Sequence, residues 1–177
     1  MSARPSVAKP TTARQIGIGV ALLAAVTAIA FLGSLATVPN TDGWYADAEK
    51  VPWSPPNSVF GPVWSILYFL IAVAGWCVWR AGSRSGSPNA ARGTLRVYIV
   101  QLLLNALWTP VFFAGYPVIG EVAWWIALVI ILALIASVAR LAVASAKWSK
   151  VAMWIMIPYL LWLVFATSLN LGIIVLN

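Results

Sequence analysis

Trp44–Tyr68, WYADAEKVPWSPPNSVFGPVWSILY, gathers three tryptophans, four prolines and one lysine where a polar loop meets an apolar run. Pro52, Pro55 and Pro56 fix φ and remove backbone donors, so the loop is held extended and pre-shaped. From about Val59 the stretch turns apolar. Phe60, Trp64 and Tyr68 recur every four residues, which puts them on one stripe of a helix. A rigid aromatic lid over such a stripe suits a flat, apolar guest held beneath it.

The rest of the chain supplies the bundle under that lid. At 62% hydrophobic and 8% charged residues, with mean hydropathy +0.92, the 177 residues are far from the roughly 25% charged composition of soluble domains. Uncharged runs long enough to cross a hydrocarbon core of about 30 Å cover Ile16–Val38, Val51–Trp79, Val97–Gly120 and Val151–Leu176. Val122–Ala139 is shorter and extends past Arg140 if that side chain snorkels. The reading is an all-α membrane protein, a five-transmembrane-helix bundle in a single domain over 16–177. Its spans are about 16–38, 58–79, 97–116, 122–142 and 151–176, with a lid loop at 39–57 and a disordered basic tail at 1–15. The first apolar run exceeds the roughly 7–15 residues of a signal-peptide core, so an uncleaved span is expected.

Charge orients this bundle. With five spans, Arg4, Lys9, Arg14, Arg80, Arg84, Arg92, Arg96, Arg140, Lys147 and Lys150 fall on one side. The other receives Lys50 and all four acids, Asp42, Asp47, Glu49 and Glu121. The positive-inside rule gives N-terminus inside and C-terminus outside. The net +7 is a topology signal and calls for no nucleic acid; anionic lipid headgroups of the bilayer are the expected partner of the basic face.

The inventory narrows the chemistry. There is no histidine, and Cys77 is the only cysteine, so the usual zinc and haem ligand sets and the common nucleophile–base pairs are missing; no metal site is expected. Membrane-embedded polar groups are the next place to look. Gln101, Asn105, Trp108 and Phe112 share one face of the third span. Pro158, Trp162, Ala166 and Asn170 share one face of the fifth, and small Ala166 leaves room beside Trp162. Trp79, Trp148, Trp124 and Trp125 read as interfacial anchors, and Trp76 and Trp154 as packing at the inner end.

Three segments carry a family resemblance: residues 44–68, QLLLNALWTPVFF at 101–113 and IPYLLWLVFATSLN at 157–170. The chain resembles a bacterial member of the TspO/MBR family, the tryptophan-rich sensory proteins that include the mitochondrial translocator protein. The resemblance implies a multi-pass protein of the bacterial cell membrane, often a homodimer, that binds tetrapyrroles such as protoporphyrin IX. Relatives also bind sterols and benzodiazepine-type ligands, and no tightly bound cofactor is implied. The carried-over pocket positions are Tyr45, Pro55, Trp64, Tyr68, Asn105, Trp108, Trp162 and Ala166; Phe60 joins them from the stripe, and Trp125 and Leu128 are further lining candidates. Trp64 and Trp162 match the tryptophans implicated in light-dependent porphyrin breakdown and are the only catalytic candidates. The fifth span ends ATSLNLGIIVLN, without the Tyr-then-basic pattern of animal relatives, which removes that route to sterol binding.

The implied function is porphyrin sensing, handling or light-dependent degradation. The macrocycle would lie with its faces on Trp64 and Trp162, Asn105 and Tyr68 would supply polar contacts, and Lys50 would reach a propionate. The alternatives are a facilitated transporter of porphyrins or other amphiphiles, and a ligand-responsive receptor that regulates membrane partners.

Overall fold

The computed structural model describes residues 10–85 and 88–177. Residues 1–9 of the expected tail, and 86–87 of the loop between the second and third spans, lie outside the described residues. The elements are α1 (Thr12–Thr41), α2 (Trp44–Asp47), α3 (Asn57–Ser85), α4 (Arg92–Phe113), α5 (Tyr116–Ile119), α6 (Val122–Ala146) and α7 (Lys150–Leu176). Among the described residues, α1, α3, α4, α6 and α7 are long and apolar enough to cross a membrane. No strand is present among the described residues.

Helix ends differ from the sequence reading for local reasons. α1 starts at Thr12, inside the expected tail, because the Thr11 hydroxyl accepts from Arg14 N at 3.3 Å and caps it. It runs past Pro39 into the expected lid. Side chains of Thr37, Asn40 and Thr41 bond the carbonyls of Gly33, Ala36 and Val38, which closes the last turn around the missing proline donor. The lid itself contains α2. Beyond it, Val51–Ser54 forms a turn with Pro52 at its second position, and Ser54 N donates to Val51 O at 2.9 Å. α4 ends at Phe113, where Ala114 N and Gly115 N both donate to Pro110 O.

α1 packs on α3 and α4, α3 on α7, α7 on α6, and α6 on α4, which closes a ring of five helices. Ile71, Ile131, Leu134, Val138, Met156 and Leu163 fill its centre and are fully buried. Lipid tails are as apolar as these side chains, so close packing and interhelical hydrogen bonds hold the ring. Such bonds include Trp148 Nε1 to Thr94 Oγ1 at 3.0 Å and Tyr98 Oη to Ile71 O at 3.2 Å. α1 buries only Val26 and shows Ile16, Val20, Phe31, Leu32 and Leu35 outward. The alternating helices put all the described cations except Lys50 at one end, and the four acids with Lys50 at the other.

Three tryptophans, Trp124, Trp154 and Trp79, depart from their expected settings. Trp124 is 2% exposed, stacked on Tyr116 at 4.4 Å between ring centres and tilted against Trp44 at 5.3 Å, so it is core and not an anchor. Trp154 is 65% exposed on the outer surface and packs no inner end. Trp79 is also buried, under the Arg14 guanidinium at 5.8 Å.

Candidate ligand pocket

The cavity lies at the acidic end, below the lid, with a volume of about 420 Å³. That is within the roughly 300–1,000 Å³ of small-molecule sites. α3 supplies Phe60, Trp64 and Tyr68 as one wall, the stripe read in the opening stretch. α7 supplies Trp162, Ala166, Leu169 and Asn170; α4 supplies Trp108, Thr109, Phe112 and Phe113. Tyr45 of α2 forms the roof. Burial pushes the Tyr45 phenol above its ordinary range, with a Ser54 hydroxyl opposing, so it remains protonated at neutral pH.

The rings are arranged as faces and edges. Trp64 lies 5.3 Å from Tyr68 at a 30° tilt, and Trp108 stacks on Phe112 at 5.7 Å and 20°. Trp64 and Trp162 are 6.5 Å apart with planes at 90°. A flat guest therefore cannot stack on both indoles in this arrangement. The two-face expectation would need one of the indoles to turn from this arrangement.

The lid is anchored on α7 and α4. The Trp44 indole donates to Phe113 O at 3.0 Å, and the Trp53 indole to Ser168 Oγ at 3.2 Å. Glu49 N donates to Asn177 Oδ1 at 2.9 Å, and Asn177 Nδ2 returns a bond to Glu49 O at 3.1 Å. Val51 rests on Gly172: a Cβ there would come within 2.5 Å of Val51 Cγ1. Lys50 turns back onto the lid, donating to the carbonyls of Ala46 and Ala48, with its ammonium 4.7 Å from the Tyr45 ring centre.

Three lining residues carry buried polar atoms without a protein partner: Trp108 Nε1, Trp162 Nε1 and Asn170 Oδ1. Native interiors satisfy nearly all such groups, so these three atoms, which turn away from the open space of the cavity, are exceptions in its wall. The floor is polar and linked by hydrogen bonds, with Gln101 Nε2 left unpaired. Tyr68 Oη donates to Asn105 Oδ1 at 2.8 Å, Asn105 Nδ2 donates to Tyr159 Oη at 2.9 Å, and Tyr159 Oη donates to Gln101 Oε1 at 3.3 Å. The chain ties α3, α4 and α7 together beneath the cavity.

The TspO/MBR family model matches residues 21–176. This chain belongs to the TspO/MBR family. It is 38% identical over 159 residues to the tryptophan-rich protein TspO of Archaeoglobus fulgidus, covering 89% of this chain and 95% of that one. Similarity to the tryptophan-rich sensory protein of Cereibacter sphaeroides is 35% over 160 residues, 88% of each. The human translocator protein is 37% identical over 127 residues, 72% of this chain and 70% of the human one. Five apolar helices and this family membership make the chain an integral, multi-pass membrane protein.

In this TspO/MBR chain the cavity brings together Tyr45, Phe60, Trp64, Tyr68, Trp108, Trp162 and Ala166. Pro55 is half-buried in the lid, away from the lining. Asn105 lies one layer behind, orienting Tyr68. Trp125 is 55% exposed on the outside, and buried Leu128 faces the helix packing; neither lines the cavity. Sequence reasoning missed the α1 wall, formed by Ala30, Gly33, Ser34, Thr37, Val38 and Thr41. These share one helical face, and their 3–4 spacing was the available signal. Exposed Ser34, Val38, Gly61 and Ser65 leave the cavity open sideways between α1 and α3.

Asn105→Leu is expected to lower stability by about 1 kcal/mol, since membrane hydrogen bonds average about 0.6 kcal/mol and two are lost. Unfolding in a dodecyl sulfate titration measures it. A neutral result means that the floor contributes no net stability.

Proposed function

We propose that this chain binds a tetrapyrrole of the protoporphyrin IX type in the pocket under the lid, and acts in porphyrin sensing, handling or light-dependent breakdown. The observation that carries the reading is the aromatic cavity itself, about 420 Å³ walled by Phe60, Trp64, Trp108, Phe112 and Trp162 under Tyr45. A protoporphyrin offers a flat apolar face to these rings, and its two propionates are its outward hydrogen-bond acceptors. Aromatic faces with a few placed polar groups are the usual build of a cofactor-sized site. Lys50, occupied by lid carbonyls, is left out of this reading.

Titration of protoporphyrin IX into the purified chain, read by quenching of tryptophan fluorescence, tests the proposal. Saturable quenching at one porphyrin per chain is the expected result; linear, unsaturable quenching overturns it. The sideways opening between α1 and α3 favours a second reading, exchange of the guest with the bilayer. Some relatives carry the name translocator protein. Porphyrin uptake into proteoliposomes, compared with protein-free vesicles, separates carriage from binding.

A further inference from the structure

At the basic end, remote from the ligand pocket, α1 and α3 leave a second depression on the outer surface of the ring. Its floor is apolar: Ile16, Val20 and Leu23 of α1 face Phe69 and Val73 of α3. The two helices run antiparallel here, joined by a bond from Trp76 Nε1 to Gln15 O at 3.0 Å. From Thr12 to Leu23 the groove follows about 16 Å of helix at a rise of about 1.5 Å per residue, enough for much of an acyl chain.

Arg80 closes the polar end. Its guanidinium carbon lies 4.9 Å from the Trp76 ring centre, and its Nε is buried without a hydrogen-bond partner. No carboxylate of this chain is available to it, because all four acids lie in the lid or before α6, at the opposite end. Arg84, one turn further along α3, and Arg14, over Trp79, add positive charge around it. Nε itself is shielded, and a half-buried guanidinium with no internal counter-ion leaves its terminal N–H groups to meet an anion from outside the chain.

We infer that this groove binds one anionic phospholipid of the leaflet at the basic end, with its phosphate on Arg80 and an acyl chain along Ile16, Val20 and Phe69. Guanidinium matches phosphate in charge and in fork geometry. Trp76 belongs at headgroup depth, where an amphipathic ring is favoured. The apolar floor distinguishes a lipid from a free anion, and the clustered arginines favour a lipid with net negative charge. The inference does not depend on what the ligand pocket holds.

Native mass spectrometry of the full chain, released from detergent micelles carrying equal phosphatidylglycerol and phosphatidylcholine, tests it. One retained phosphatidylglycerol per chain is expected, in preference to phosphatidylcholine. Arg80→Gln should lower the retained fraction about fivefold. Val20→Trp, which fills the groove without touching charge, should lower it as well, while Arg92→Gln, exposed at the same end, should leave it unchanged. Circular dichroism and gel filtration report whether each variant folds; if Arg80→Gln does not, Val20→Trp decides. Equal retention in wild type and the folded groove variants overturns the proposal. So does equal loss in Arg92→Gln, which means a diffuse field, or displacement by millimolar inorganic phosphate with Val20→Trp silent, which means a free-anion site. Lipid retained by monomers and absent from dimers identifies a second copy as the occupant and also overturns it.

Discussion

Replacing both Trp64 and Trp162 with alanine is expected to weaken protoporphyrin IX binding by roughly 100-fold. Stacking of a flat heterocycle on an aromatic side chain contributes about 1–3 kcal/mol by alanine substitution. Taking about 2 kcal/mol for the ring met face-on and about 1 kcal/mol for the edge contact gives about 3 kcal/mol, or about two decades in Kd. The single variants should differ from each other, because with the two planes at 90° a bound flat guest would meet only one indole face-on. Stability should change less than for a core tryptophan such as Trp124, since both rings are only half-buried and already border a void. Trp154→Ala, on the outer surface, should leave affinity untouched. Porphyrin absorbance titrations measure all four variants. Wild-type affinity in the double variant removes these two rings from the site.

The same pair separates holding a porphyrin from breaking it down. Phenylalanine at 64 and 162 retains a flat apolar face but lacks the oxidisable indole. Binding should then survive largely intact. If breakdown under light and dioxygen runs through an indole, loss of the porphyrin absorbance band should slow sharply in the Phe pair. Equal bleaching in wild type and the Phe pair assigns the loss to photosensitisation in solution. The contact of Trp64 with Tyr68 and Tyr159, at 5.3 and 6.4 Å between ring centres, places further oxidisable rings behind it.

What the sequence made legible follows from the kind of signal each residue carries. Charge-free runs have one physical reading in a chain this apolar, so the five spans stand out. Large aromatics at four-residue spacing are equally plain, and Phe60, Trp64 and Tyr68 do share a wall. Gly33, Ser34 and Thr37 line the same cavity, but their 3–4 spacing was an ambiguous signal, since small residues on a membrane helix also suit helix contact or lipid. Trp124 and Trp125 are adjacent near one span end, yet one is core and the other exposed. Only the positions of Tyr116 and Trp44, set by the turn before α6 and by the lid, separate them. Asn105 was found by its depth in the span, but its partners Tyr68 and Tyr159 come from other helices, so its indirect role depended on the packing.

Gly75→Ala is expected to destabilise the bundle by about 2 kcal/mol, against the direction that helix propensity alone would give. In a helix interior, alanine is favoured over glycine by about 1 kcal/mol. A Cβ at 75, however, would stand 2.5 Å from Tyr98 Cζ and 2.8 Å from Cε2 and Oη. The ring cannot yield, because it is 3% exposed and its hydroxyl is bonded to Ile71 O at 3.2 Å. Overpacking of this kind costs about 1–3 kcal/mol, and with so rigid a neighbour the top of that range applies. Tyr98→Leu removes the obstruction at a cost of its own. In that background Gly75→Ala should become neutral or stabilising, so a double-mutant cycle should return a coupling of about 2 kcal/mol or more. The contact sets how closely α3 approaches α4, and the Tyr68–Asn105 bond under the pocket spans the same two helices. Gly75→Ala should therefore also weaken ligand binding, although residue 75 lies outside the cavity lining. Equal destabilisation by Gly75→Ala in both backgrounds rules out Tyr98 as the element that fixes the α3–α4 spacing.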